Sequence, residues 1–170
     1  LHGVTGSGKT EIYLRLVKTT LERDKTAIVL VPEISLTPQT VKRFQARFPG
    51  KVGIIHSQIF EGARFDTWRR VRQGEIKVIV GPRSALFAPM ENLGIIIVDE
   101  AHDDSYFQDD ISPRYNAILA VEEYGKLNQA MVIYGSATPS IEMMYKAKQQ
   151  NWPVFSLPLR IFAHEQIINP

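Results

Sequence analysis

Three short stretches carry residues whose types and spacing suit one chemistry. In GVTGSGKT, residues 3–10, glycines stand at 3, 6 and 8 ahead of Lys9 and Thr10. Glycine leaves backbone N–H groups free to wrap phosphate oxygens that a side chain would obstruct. The stretch fits G-x-x-x-x-G-K-[ST] at every position. Gly3, Val4, Thr5, Gly6, Ser7, Gly8, Lys9 and Thr10 are therefore the candidate phosphate cradle, with Lys9 reaching the β/γ-phosphates and Thr10 available to Mg²⁺. A helix starting near Lys9 aims its N-terminal dipole at the same anion.

The second stretch, IIIVDEAH at 95–102, delivers Asp99 and Glu100 at the end of an apolar strand, where ligands sit in open α/β sheets. Asp99 is placed to hold Mg²⁺ through its water shell, and Glu100 to orient and polarise an attacking water. Taken alone, either stretch could be a glycine-rich turn or a strand ending in an acidic turn. Their conjunction selects a nucleotide site, with Lys9, Asp99 and Glu100 as the catalytic set. A hydrolytic glutamate makes water the expected acceptor. The third stretch is GSATPS at 135–140.

Elements must bring these stretches together. Continuous apolar runs at 27–31, 52–56, 76–81, 93–98 and 130–134 predict strands of a sheet covered on both faces. Helical patterns fall between them at 9–23, 38–48, 61–73, 113–127 and 139–150, the first with Ile12, Tyr13, Leu16 and Val17 on one stripe. The alternation predicts an α/β domain with a mainly parallel sheet. Pro38, Pro113 and Pro139 stand where first-turn prolines belong. Both ends read as cut: little of a strand precedes the glycine loop, and the tail after Trp152 reads as a short strand leading into a linker.

At 170 residues and 44% hydrophobic, one domain can bury a proper core. The absence of cysteine excludes disulfides and cysteine-ligated zinc within these residues. No signal peptide or membrane-length apolar run is present, so a cytoplasmic protein without a membrane partner is expected. Charge is uneven: 42–83 carries a net +7 and 91–142 a net −8. Two readings stand, solvated faces or a basic half suited to a polyanion.

The order GVTGSGKT, DEAH, GSATPS resembles the first RecA-like lobe of superfamily 2 helicases. Within that superfamily, LVPEISLTPQ, WRRVRQGE, VGPRSALFAP, LGIIIVDEAHDDSY and PRYNA are similar, in the same order, to stretches of the bacterial replication-restart helicases. The resemblance implies a three-layer RecA-like P-loop NTPase fold. It implies an ATP- and Mg²⁺-using 3′-to-5′ DNA translocase that unwinds forked DNA from its single strands and works with other primosome and replication-restart proteins. It places residues 1–158 in the ATP-binding lobe and 159–170 at the start of a linker to a second lobe, with zinc only in the remainder of such proteins.

Residue by residue, the resemblance makes His102 a link between nucleotide and movement, and makes Ser136 and Thr138 relays to the second lobe. Thr138 could equally be an N-cap ahead of Pro139. Thr37, Arg83 and Ser84 are implied DNA-backbone contacts, or else caps and surface charges. In the aromatic loop 103–115, Tyr106, Phe107, Arg114 and Tyr115 either engage single-stranded DNA or pack on the domain, and the aspartates there oppose phosphate. Two positions depart from the family pattern: Pro82 replaces a usual threonine, and Ala101 a frequent glutamate. Arg64, Arg69, Arg70 and Arg72, with Phe65 and Trp68, read as an amphipathic helix with a basic outer face, solvated or turned to DNA. His2, His56 and His164 lack partners at metal-ligand spacing.

Three function classes remain distinct at this point: a DNA-dependent ATPase lobe, a nucleotide-gated switch with little hydrolysis, and a structural domain with an empty loop. Within the first, another superfamily 2 translocase is the rival. ATP over GTP rests on the resemblance. Residues 1–170 alone are expected to turn over negligibly, since the resemblance places arginine fingers in the second lobe.

Overall fold

Unbroken apolar strands can be solvated on neither face, and the chain resolves this with helices on both. A computed structural model describes residues 1–56, 59–109 and 112–161. The elements are β1 (His2–Gly3), α1 (Lys9–Glu22), β2 (Thr26–Leu30), α2 (Pro38–Arg47), β3 (Val52–Ile54), α3 (Glu61–Arg72), β4 (Val78–Gly81), β5 (Leu93–Val98), β6 (Phe107–Gln108), β7 (Tyr115–Asn116), α4 (Ala117–Asn128), β8 (Met131–Tyr134), α5 (Ile141–Gln149) and β9 (Ser156–Leu157). The central sheet runs β3-β4-β2-β5-β8, and every pairing in it is parallel. β1 pairs in parallel with β9 and bridges from His2 to Ser136, just past β8. β6 and β7 form a small antiparallel ribbon.

Side chains alternate between two cores. Ala27, Val29, Val78, Val80, Ile95 and Ile97 pack against Tyr13, Leu14 and Val17 of α1 and Phe44 of α2. Ile28, Leu30, Ile79, Ile96 and Val98 pack against Val71 of α3 and Ala117 and Val121 of α4. Three layers result, as the resemblance implies. No described helix is long and apolar enough to cross a membrane.

Boundaries differ from expectation where capping decides them. Pro38 opens α2, with Thr37 as N-cap accepting from the Thr40 N–H at 3.3 Å. Pro113 does not open a helix: α4 starts at Ala117, where Asn116 accepts from the N–H of Ile118 at 2.8 Å. Likewise Ser140, not Thr138, caps α5, accepting from Met143 at 3.1 Å, and Pro139 stays outside. Asn and Ser directly before the apolar pattern are better caps, and a proline keeps the residue ahead of it extended.

The basic helix α3 also departs. Phe65 and Trp68 are 72% and 40% exposed, and Val71 is its one buried residue. Of the linker expected at 159–170, residues from 162 onward lie outside the described residues, as does His164.

Two helical glycines separate propensity from packing. Gly62 in α3 faces open space, whereas a Cβ on Gly125 in α4 would overlap Val132 of β8. Gly62→Ala should stabilise by about 0.5 kcal/mol through helix propensity. Gly125→Ala should destabilise by ~1–3 kcal/mol, overpacking a stiff β-branched neighbour. Urea denaturation checks both, and a Gly125→Ala protein as stable as wild type would contradict the close approach of α4 to β8.

Candidate nucleotide site

In a parallel sheet every loop that follows a strand emerges at one edge. The segments after β1 (4–8), β2 (31–37), β4 (82–87), β5 (99–106) and β8 (135–140) therefore share that edge. It holds all three chemistry-bearing stretches.

The glycine loop wraps into α1 with Gly6 and Gly8 at φ 80° and 90°, a conformation that glycine adopts without strain. Among the described residues, no protein group accepts from the N–H of Gly6, Gly8, Lys9 or Thr10. These are the orphan donors of a helix start. Beside them the Ser7 hydroxyl is buried without a hydrogen-bond partner, and a Cβ on Gly3 would stand 2.6 Å from it. An unsatisfied buried hydroxyl is costly, and with the run of unpartnered amides beside it the loop offers a donor set that suits an anion of several oxygens.

Lys9 is 7% exposed, its Nζ donating to the Gly3 carbonyl at 2.8 Å and standing 3.7 Å from Glu100 Oε1. The second distance is too long for a good hydrogen bond, so the ammonium is loosely paired. Glu100 adopts φ 45°, a left-handed strain for a residue with a side chain. Its neighbours fix it: the Ala101 N–H donates to the Gly135 carbonyl at 2.9 Å, and the Asp103 N–H to the Glu100 carbonyl at 2.8 Å. This turn aims the carboxylate between Lys9 and His102, whose Nδ1 is 3.7 Å from Glu100 Oε2.

Ser136 Oγ lies 2.8 Å from the same Nδ1 and accepts from the Thr138 N–H at 3.0 Å. Lys9, Glu100, His102, Ser136 and Thr138 thus form one chain of contacts across the ends of three strands.

Asp99 sits deeper. Burial pushes its carboxyl above the usual range, against the Tyr13 hydroxyl and the Glu100 N–H, which favour the anion. The Tyr13 hydroxyl donates to Asp99 Oδ1 at 2.8 Å, and the Tyr106 hydroxyl donates to the Asp99 main-chain carbonyl at 2.7 Å. Thr10 follows Lys9, half-buried, in the first turn of α1. No cluster of three His, Cys, Asp or Glu able to hold a metal occurs among the described residues.

The residues expected to touch DNA are divided. Tyr106 is 2% exposed and its hydroxyl is turned inward, which leaves no ring face for a base. Phe107, at 52%, and Arg114 are exposed. Tyr115 is half-buried edge-on against Phe87, ring centroids 5.4 Å apart. Ser84 is exposed, and Thr37 is occupied as a cap. Arg83 reaches across the edge: Nη1 donates to the carbonyls of Ser105 and Phe107 at 2.8 and 3.2 Å, and Nε to Gln108 at 3.2 Å. Spacing alone gave no hint of this brace, nor of Tyr13 as the Asp99 partner. A tyrosine on a buried helical stripe was the available signal, since its hydroxyl needs an acceptor. Main chain from 155–161 also lies along the glycine loop: the His2 N–H donates to Phe155 at 2.8 Å and the Ile161 N–H to Gly6 at 2.9 Å.

Comparison with known proteins adds to this geometry. A family model described as DEAD/DEAH box helicase matches residues 1–146. The "Replication restart protein PriA" of Bacillus subtilis is 48% identical over 161 residues, covering 95% of this chain and 20% of that protein. The protein of the same name from Haemophilus influenzae is 52% identical over 143 residues, covering 84% and 19%. The chain thus spans about a fifth of the length of these relatives. A solved structure of RecG bound to a three-way DNA junction matches the fold with a TM-score of 0.66 at 21% identity, covering 96% of this chain and 21% of that one.

Replacing Arg83 with alanine should free the 105–108 segment. Its amides are expected to exchange with solvent severalfold faster in hydrogen-exchange measurements, while those of β2 stay protected. Equal exchange in both proteins would show that the brace carries no weight.

Proposed function

The chain belongs to the DEAD/DEAH box helicase family, and on that premise we propose that residues 1–158 are the ATP-binding lobe of a DNA helicase acting in replication restart. The whole protein would translocate 3′ to 5′ on single strands, open forked DNA at stalled forks and work with other primosome proteins. Residues 159–170 would begin the linker to a second lobe, in a bacterial cytoplasmic protein. Zinc, if used, would be held outside these residues. The restart assignment draws on the two relatives named above.

The observation that carries the nucleotide reading is the run of unpartnered donors at Gly6, Gly8, Lys9, Thr10 and Ser7, with Glu100 3.7 Å from the Lys9 ammonium. This family uses nucleotide with Mg²⁺, and the donor set fits a triphosphate. Gly3, Val4, Thr5, Gly6, Ser7, Gly8, Lys9 and Thr10 would hold the phosphates, Lys9 adding positive charge; Thr10 and Asp99 would hold the ion. When bound, the ion supplies charge neutralisation to the phosphates. Glu100 would orient a water and draw off its proton, and its strained turn keeps that carboxylate between Lys9 and His102. His102, Ser136 and Thr138 lead from Glu100 along the edge toward the segment that would report nucleotide state to a second lobe.

On the DNA side, the basic net charge of 42–83 supports a polyanion surface. Thr37, Arg83, Ser84, Phe107, Arg114 and Tyr115 are the proposed contacts, with Tyr106 acting from inside the loop.

Turnover of ATP by the full-length protein, with and without single-stranded DNA, tests the reading. DNA should stimulate hydrolysis, and forked DNA should do so better than duplex RNA. Glu100→Gln should keep nucleotide affinity within a few-fold but lose ~100-fold or more in turnover, the usual share of a general base. Lys9→Ala should lose at least about tenfold in affinity. Undiminished turnover by Glu100→Gln would remove the hydrolytic role, and stronger stimulation by duplex RNA would move the protein to another branch of helicases.

A further inference from the structure

Tyr13 lies one turn beyond Lys9 on α1 and is 1% exposed. Its hydroxyl donates to Asp99 Oδ1 at 2.8 Å, from a different element and 86 residues away in sequence. A phenol beside a carboxylate acts as the donor, so the Tyr13 O–H points at Asp99 Oδ1.

The end of β8 is shaped around this bond. A Cβ on Gly135 would overlap the Tyr13 hydroxyl and come within 3.4 Å of Asp99 Oδ1. The glycine is required for room and not for backbone freedom, since its main chain makes ordinary bonds, N–H to Val98 at 2.8 Å and carbonyl from Ala101 at 2.9 Å. Meanwhile the Tyr106 hydroxyl holds the Asp99 main chain at 2.7 Å. The backbone of Asp99 is therefore fixed by one tyrosine and its carboxylate by another.

The torsion that swings a carboxylate about its stem is broad and weakly preferred. Within the strand end only the Glu100 N–H touches the Asp99 carboxylate, and a single main-chain donor leaves that torsion loosely set. An arginine or lysine partner would set it but would also cancel the charge. A phenol sets it and leaves the full negative charge for a cation.

We propose that Tyr13 is a positioning residue for Asp99: its O–H, admitted by Gly135, orients the carboxylate toward the magnesium of a bound nucleotide. This rests on the reading of Asp99 as the carboxylate that faces that ion. Groups that hydrogen-bond a metal ligand commonly change metal affinity by roughly 10–100-fold when removed. A purely structural tyrosine, satisfied by whatever acceptor is near, would change stability alone.

The test is the Mg²⁺ dependence of nucleotide binding, read by fluorescence anisotropy of a fluorescent ATP analogue on the full-length protein. Tyr13→Phe is expected to raise the Mg²⁺ concentration for half-maximal binding roughly tenfold, with affinity in EDTA unchanged. Asp99→Asn should abolish the Mg²⁺ dependence, and adding Tyr13→Phe to it should change nothing further. If Tyr13→Phe fails to fold, Gly135→Ala, whose Cβ would push the intact Tyr13 side chain off Asp99, should shift the Mg²⁺ dependence in the same direction. Wild-type Mg²⁺ dependence in either folded variant overturns the proposal while leaving the nucleotide reading intact. A wild-type protein that binds the analogue without any Mg²⁺ dependence removes both.

Discussion

A buried ammonium between a main-chain carbonyl and a distant carboxylate is the interaction on which the rest depends. Lys9 gives up most of its hydration and has Gly3 and a loosely held Glu100 in exchange. Desolvating a charge costs several kcal/mol unless geometry repays it, so the surroundings must be rigid. Rigidity comes from the parallel sheet: β5 is flanked on both sides, β1 is pinned to the end of β8, and both deliver their loops to the same edge. The positive-φ turn at Glu100 is tolerated for the same reason, its two neighbouring amides being bonded to the 135 segment and to the turn itself.

How much of this could be read from sequence depended on whether chemistry or long-range fit chose the residue. Gly6, Gly8, Lys9, Asp99 and Glu100 are legible because the phosphate and magnesium chemistry proposed for them restricts the residue types that can serve. The strands are legible because burial on both faces demands unbroken apolar runs. The starts of α4 and α5 were displaced by a few residues because proline was weighed above Asn116 and Ser140, whose side chains do the capping. Phe65 and Trp68 have helical spacing yet stay exposed, since α3 touches the sheet through Val71 instead. Spacing identifies a stripe and not what covers it.

Partner choice across the edge was beyond sequence reasoning altogether. Arg83 has the character of a phosphate ligand, and the fold uses it to hold the carbonyls of 105 and 107. Tyr106 has the character of a stacking platform, and the fold buries it beneath Asp99. Through these two residues the stretch 105–107 is tied both to the segment after β4 and to the acidic strand end. A shift in the exposed Phe107 therefore reaches Asp99 through its chain neighbour Tyr106.

The pairing of β1 with β9 has a consequence for how the molecule is made. His2 and Gly3 leave the ribosome well before their partners Ser156 and Leu157. Until then the strand that carries the glycine loop is held on one side only, by the main chain at Ser136, while β2 to β8 can already assemble. Non-local pairing of this kind closes late, so the strand ahead of the glycine loop is flanked on both sides only once residues 156–157 have emerged.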